Sequence, residues 1–285
     1  MDRLSKLLAL FGVRADLFYS GGLCGVSSFD GANRRGHIHL LQEGELGLAI
    51  AGRPQVFLTE PSLIFFPRPS QHQLVGTESG GAHLQCASLE FAGGANNPLA
   101  ASLPDMIVQP LTELSMLSDT VKWLFAEAAS DHCGRHATLD RLFELTVIQL
   151  LRHQLDHQQL KSGMMAGLAD VRLARSLVRI HEEPHHPWSI SELAGESNMS
   201  RASYAAHFKV VVGQTPAEYL LSWRISLAQK LLREGRSVAL ISEPVGYDSP
   251  SALARAFRRR TGLSPREWMK PVRANGASLN EGADR

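Results

Sequence analysis

Six helix-start signals punctuate the C-terminal part of this chain, and they leave little room for anything but a string of short helices. Ser189, Ser200, Thr215, Ser237, Ser249 and Ser264 each stand directly ahead of an apolar run at helical spacing. A hydroxyl at that position accepts a hydrogen bond from an otherwise orphaned N–H of the first turn. Glu192 follows Ser189 by three residues and completes a capping box. Pro216 follows Thr215 and Pro265 follows Ser264, at the first helical position, where a missing N–H costs nothing. Upstream, Val171, Leu173, Ala174, Leu177, Val178 and Ile180 open a further helix that Pro184 and Pro187 close. Residues 168–271 therefore read as seven helices.

Tight turns separate two pairs of them. Asn198-Met199 parts the helix after Ser189 from the helix after Ser200, which turns Tyr204 and Phe208 inward. Gly246 parts the helix after Ser237 from the helix after Ser249. Each pair is a helix-turn-helix unit, and the two lie about 50 residues apart on either side of one long helix starting at Pro216. A rigid connector in that place sets two recognition helices in successive turns of the major groove, about 34 Å apart on one face of DNA.

The formal charge of +1 hides a division that fits this picture. Residues 1–168 carry 12 Lys and Arg against 16 Asp and Glu, whereas residues 169–271 carry 15 against 10. A basic half suits a polyanion, although chance clustering gives the same numbers. With 285 residues, two domains are expected. Hydrophobic residues at 44% and charged residues at 20% exclude a wholly disordered or fibrous chain. No apolar run approaches the roughly 18 residues of a bilayer span, and residues 1–6 lack a signal peptide's apolar stretch. Cys24, Cys86 and Cys133 are too few for a disulfide scaffold. The expectation is a cytoplasmic protein with no membrane partner.

The N-terminal half has a different texture. Leu4, Leu7, Leu8 and Phe11 space out a short amphipathic helix over 1–12. From about 17 to 91, apolar stretches at 37–41, 46–50, 56–58, 63–66 and 83–91 are broken by Gly, Pro and polar turns. This spacing predicts a small antiparallel sandwich or barrel, with Glu43-Gly44 as a hairpin turn. Leu114, Leu117, Val121, Leu124, Phe125 and Ala128 predict a helix from about 111, and a second runs over 139–155. Their apolar stripes either cover the β-domain or face a second copy of the chain. Residues 156–167, polar and then Gly-interrupted, read as a linker, and 272–285 as a disordered tail. The fold class is α+β: a β-barrel with helices over 1–155, then an all-α domain over 168–271 with two helix-turn-helix units.

A family resemblance joins these readings. It is carried by Trp188-Ser189-Ile190, Met199-Ser200-Arg201, Phe208-Lys209 and Val212-Gly213-Gln214-Thr215-Pro216-Ala217-Glu218-Tyr219-Leu220. It continues through Arg224, Ala228, Leu231-Leu232, Val245-Gly246-Tyr247, Ala256-Phe257-Arg258 and Gly262-Leu263-Ser264-Pro265-Arg266-Glu267. This stretch resembles the AraC/XylS family of bacterial transcription regulators. The N-terminal half is more loosely similar to the cupin-like sensor domain of one branch of that family, through residues 4–10, Leu23-Cys24-Gly25, His39 with Glu43-Gly44-Glu45, and Phe66-Pro67-Arg68 leading to His72. The resemblance implies sequence-specific binding of double-stranded promoter DNA by a homodimer, with no catalysis. It also implies RNA polymerase as the downstream partner and a small effector or oxidant sensed in the cupin-like domain.

By the same resemblance, the base-reading positions of the first unit are Ala202, Ala205 and Ala206, with Arg201 and His207 nearby. Alanines cannot hydrogen-bond a base but offer methyl contact to thymine. Arg201 and Lys209 are then expected on phosphates. The second unit offers Ser249, Ser251 and Arg255, the last for a bidentate contact to guanine. Arg258, Arg259 and Arg260 are either phosphate contacts or a solvated basic face. Pro244, where the family usually continues a helix, and Ser242, in place of a small apolar residue, suggest that the helix after Ser237 ends early.

His37, His39 and Glu43 have the His-x-His-x3-Glu spacing of metal-binding cupins, and His72 could add a fourth ligand. Residues i and i+2 of a strand share a face, and such ligands suit zinc, iron, nickel or manganese. Sensor cupins usually lack the full set, which implies no resident cofactor, with His39 and His72 lining or bracing a pocket. The competing reading is a metal-dependent cupin enzyme fused to a helical domain. Cys24 and Cys86 are either a redox switch or two inert thiols.

Overall fold

The computed structural model describes residues 1–31, 35–76, 81–94, 97–157 and 160–270. The tail expected over 272–285 lies outside the described residues. Helix α1 (Ser5–Phe11) buries Leu7 and Phe11. Nine strands follow: β1 (Val13–Leu23), β2 (Gly25–Phe29), β3 (Gly36–Glu43), β4 (Leu46–Ala49), β5 (Val56–Leu58), β6 (Ser62–Phe66), β7 (His72–Gly76), β8 (Ala82–Phe91) and, after helix α2 (Pro98–Ala101), β9 (Ile107–Pro110). They form a five-stranded sheet in the order β1-β8-β3-β6-β9 and a four-stranded sheet in the order β2-β7-β4-β5. Every pairing is antiparallel.

The five-stranded sheet is covered on both faces. Leu41, Ile64, Phe66, Leu84 and Cys86 pack towards Leu46, Leu48, Leu58 and Leu74 of the smaller sheet. Ile38, Leu40, Leu63, Phe65 and Leu89 pack towards the helices. This double coverage explains why β3 is buried continuously from Gly36 to Leu41 and β6 along its whole length, without the alternation of a half-exposed strand. Glu43-Gly44 proves not to be a hairpin turn. β3 and β4 lie in different sheets, and Gly44, at φ +90°, carries the chain across. A Cβ there would lie 2.4 Å from the Gly81 carbonyl oxygen.

Helices α3 (Ser118–Ala128) and α4 (Arg135–Asp156) settle the two-way reading of their stripes. Val121, Leu124, Leu139, Leu142, Phe143, Val147, Leu150 and Leu151 are buried in the core over their own sheet. The helix expected from 111 starts at Ser118, after two single 3-10 turns at Leu111–Glu113 and Ser115–Leu117.

The expected linker ends in a helix, α5 (Met164–Ala169), whose six residues are all buried. Gly167, which suggested flexibility, is there because space is short. A Cβ on it would lie 2.6 Å from a Leu177 methyl and 2.9 Å from a Val212 methyl. Seven helices then follow: α6 (Ala174–Glu182), α7 (Ile190–Glu196), α8 (Arg201–Val212), α9 (Pro216–Arg233), α10 (Val238–Ile241), α11 (Pro250–Thr261) and α12 (Pro265–Trp268). One continuous apolar core runs from the five-stranded sheet through α5 into these helices.

Candidate functional site

The first helix-turn-helix unit is built from local signals. Ser189 accepts from the Glu192 N–H while Glu192 returns a bond to the Ser189 N–H, a complete capping box. The turn places Asn198 at φ 51°, the left-handed region that Asn tolerates better than most residues. Ser200 then caps α8 by accepting from the Ser203 N–H. Tyr204, Phe208 and Val212 anchor the inner face of α8, and the Tyr204 hydroxyl donates to Ser176 Oγ at 3.2 Å. The outer face presents Arg201, Ala202, Ala206 and Lys209 to solvent, with Ala205 half-buried. Neither Arg201 nor Lys209 has an ion pair or side-chain hydrogen bond among the described residues.

His207 does not belong to this face. Its Nε2 lies 2.7 Å from Asp170 Oδ2 and its Nδ1 3.3 Å from an Arg172 guanidinium nitrogen, so the ring is turned back onto the segment before α6. Sequence alone placed it near the base-reading positions because the acid that captures it lies 37 residues away.

In the second unit, α10 spans only four residues. It ends ahead of Pro244, as that residue's position suggested, and the Ser242 hydroxyl donates to the Val238 carbonyl at 2.6 Å. Gly246 makes the turn at φ +88°. Ser249 accepts from the Ala252 N–H at 3.2 Å and meets Ser251 Oγ at 3.1 Å, so its hydroxyl is occupied in starting α11. Leu253, Ala256 and Phe257 hold the helix down. Arg255 is exposed and has no partner among the described residues. Arg258 is engaged with Glu267 at 2.8 Å, whereas Arg259 has no ion pair among the described residues.

The two units are joined by α9, started by a Thr215–Glu218 capping box with Pro216 at its first turn. Half-way along it, Arg224 donates from Nε to the Pro184 carbonyl at 2.7 Å and from a terminal nitrogen to the His186 carbonyl at 2.9 Å. Its guanidinium also lies 5.6 Å from the ring centre of Tyr247. One side chain thus grips the entry to the first unit and the turn of the second. The sequence gives no sign of this role, because two of the partners are backbone carbonyls 38 and 40 residues away.

Comparison with known proteins agrees with this architecture. Residues 2–156 match a family model described as Cupin, and residues 193–271 one described as a helix-turn-helix domain. The chain is 31% identical to a putative AraC-like transcription regulator of Streptomyces lividans, over 95% of this chain and 98% of that one. This chain belongs to the AraC-like transcription regulators. A second such regulator, from Streptomyces antibioticus, is 37% identical over 63% of this chain and 61% of its own. An RCS-specific HTH-type transcriptional activator of Escherichia coli K12 is 28% identical over 82% of this chain and 84% of that one.

The barrel of this AraC-like regulator gathers three histidines. His37 and His39 on β3 and His72 on β7 have ring centres 5.2 to 5.9 Å apart. Phe29 and Phe66 stack on His72 from 4.7 and 4.1 Å. His39 Nε2 sits 3.0 Å from His72 Nε2, and His72 Nδ1 lies 2.9 Å from the Ser70 carbonyl. Glu43, expected as a ligand, is exposed beyond the end of the buried run of β3, with its carboxylate 3.9 Å from His83. Among the described residues no group of three or more His, Cys, Asp or Glu side chains is placed to hold a metal ion. The residues therefore do not fit the four-ligand site that the His37, His39, Glu43 and His72 spacing suggested. Beside the cluster, Phe29, Asp30, His37 and His72 border a cavity of about 370 Å³. Cys24 is exposed between β1 and β2, whereas Cys86 is buried between the sheets and burial pushes its thiol pKa up.

The histidine cluster sets a pH dependence. Burial pushes His72 down to about 4, and it lowers His37 and His39 too, with neighbouring histidines adding to the shift at His39. Below pH 6.5 the unfolded chain then binds more protons than the folded one, so stability falls as pH drops from 6.5 towards 4. For His72 alone the loss reaches about 2 kcal/mol at pH 5. Urea unfolding at pH 7 and pH 5 checks this. His72→Phe is expected to reduce the difference between the two pH values by about that amount, and an unchanged difference contradicts it.

Proposed function

We propose that this AraC-like regulator holds promoter DNA with two recognition helices of unequal roles. α11 reads base edges through Arg255. α8 makes close methyl contact through Ala202 and Ala206 and grips phosphates through Arg201 and Lys209. One contrast carries the reading: at the base-reading positions α11 offers Arg255, an exposed guanidinium with no partner among the described residues, whereas α8 offers alanines and keeps Arg201 at its first residue. A free guanidinium meets guanine O6 and N7 together, while an alanine methyl can only touch thymine. Against operators selected from random duplexes, Arg255→Ala is expected to lose about 1–3 kcal/mol of discrimination at one base position. Lys209→Ala is expected to weaken all sequences alike and to reduce the salt slope by about 1. Equal loss on every sequence for Arg255→Ala refutes the base-reading role.

The same reading makes the protein a cytoplasmic homodimer that takes a small effector or oxidant in its β half and acts on RNA polymerase, without catalysis or a resident cofactor. No helix among the described residues is long and apolar enough to cross a membrane. Trp123 on α3, 57% exposed, and Leu145 on α4 are apolar groups available to a second copy. Exposed Cys24 meets an oxidant before buried Cys86 does. Promoter affinity measured before and after hydrogen peroxide tests this branch: the response should be lost in Cys24→Ser, and an unchanged response in that variant ends it.

A further inference from the structure

The short helix α5 meets the first recognition helix at three places. At its head, the Gly163 N–H donates to the Val211 carbonyl in the last turn of α8 at 3.1 Å. In its middle, Gly167 makes room for Val212, whose methyl would lie 2.9 Å from a Cβ there. At its foot, Asp170 Oδ2 lies 2.7 Å from His207 Nε2 of α8. The same carboxylate starts α6, because Oδ1 accepts the N–H of Arg172 at 2.8 Å and that of Leu173 at 3.1 Å. A carboxylate can only accept, and the Arg172 guanidinium, 3.3 Å from His207 Nδ1, can only donate. These two partners set the imidazole proton on Nε2 and use both ring nitrogens. The Asp170 and His207 side chains are each 18% exposed, so the contact is largely shielded from water. On its other side α5 packs against α2 and α4, and Arg3 donates to its Leu168 carbonyl at 3.1 Å.

The geometry points to Asp170 as a positioning residue for DNA binding: through His207 it sets the roll of α8, and with it the placement of Ala202 and Ala206 in the groove. The assignment rests on the reading that α8 lies on DNA. Its physical reason is reach. An alanine methyl has no torsion with which to follow a displaced partner, and a gap of about 0.5–1 Å forfeits a quarter to a half of its contact energy. A long guanidinium such as that of Arg255 can follow. α8 therefore depends on its placement more than α11 does. His207 directly follows Ala206, so a ring held on Asp170 fixes the face that Ala206 presents. Because Arg3 of the sensor half also holds α5, the angle of α8 is set from a helix that both halves share.

Binding of the full chain to an operator selected from random duplexes tests this, alongside duplexes altered in the half under α8 or the half under α11. His207→Leu is expected to weaken operator binding about tenfold, equivalent to ~1.4 kcal/mol, and to lose discrimination against changes in the α8 half alone. His207→Gln, whose amide N–H can still donate to Asp170, is expected to recover most of the affinity. Asp170→Asn keeps an acceptor for the N–H groups that start α6 but turns a donor towards His207, and is expected to behave like His207→Leu. The assignment is overturned if His207→Leu binds as the wild type does, if both halves of the operator lose discrimination alike, or if His207→Gln is no better than His207→Leu. Lys209→Ala separates this role from the reading beneath it. If that variant binds as the wild type does, α8 is not on DNA and both fall. If it weakens binding while His207→Leu does not, the positioning role alone falls.

Discussion

Phe11→Ala is expected to cost about 3–5 kcal/mol and to loosen both halves of the molecule together. Phe11 is 1% exposed at the end of α1, and its ring meets Trp223 of α9 edge-on with centroids 5.3 Å apart. An alanine there leaves a cavity at the junction, which the rigid helices on either side cannot fill by collapse. The junction has polar ties as well. Arg3 donates to the Leu168 carbonyl at 3.1 Å and pairs with Asp156. Arg233 donates to the Gly93 carbonyl and lies 4.5 Å from the ring centre of Trp268, so it ties the end of β8 to α12. With one apolar core running through both halves, unfolding is expected as a single transition. Denaturant titrations followed by circular dichroism and by tryptophan emission check it, since Trp123 lies in one half and Trp188, Trp223 and Trp268 in the other. A loss below about 1 kcal/mol in Phe11→Ala contradicts the shared core.

Arg224→Ala is expected to cost about 3 kcal/mol and to impair operator binding out of proportion to that loss. Burial lowers the pKa of the Arg224 guanidinium, yet both carbonyls it serves are 2.7 and 2.9 Å away, in charge-assisted bonds. Alanine leaves those carbonyls without their partner and frees the Gly246–Tyr247 turn that the guanidinium packs against. The first unit is then no longer held at a set angle to the second. Arg224→Lys keeps the charge but not the planar fork and is expected to recover only part of the stability. The readout specific to positioning is the spacing between the two base-contact clusters of an operator. The wild type should discriminate sharply against a one-base-pair insertion between them, and Arg224→Ala should not. Equal discrimination by both proteins contradicts the clamp.

The helical half was legible because its determinants are local. Ser189, Ser200, Thr215, Ser237, Ser249 and Ser264 each accept from an N–H three residues on. A pattern that closes within one helical turn is readable without knowing what packs against it. The same holds for Pro244, which stops α10 through its own missing N–H. Of the strands that the sequence missed, β1, β2 and β9 are edges, whereas β7 lies inside its sheet between β2 and β4. β2 and β7 are short, and β1 exposes every other residue over much of its length, so none offers a continuous apolar run.

From its sequence alone this protein determined where the capped helices of its C-terminal half begin, which faces they bury and that two helix-turn-helix units share one connector. Each of those features depends on residues three or four apart. Only the tertiary structure decided that Gly44 crosses between sheets, that Gly167 is a point of close packing, that His207 is captured by Asp170, that Glu43 stands apart from the histidines and that Arg224 clamps both units. Each of these is a meeting of segments distant along the chain. The spacing of residues carries no record of which distant carbonyl, acid or methyl group will be brought within a few ångströms.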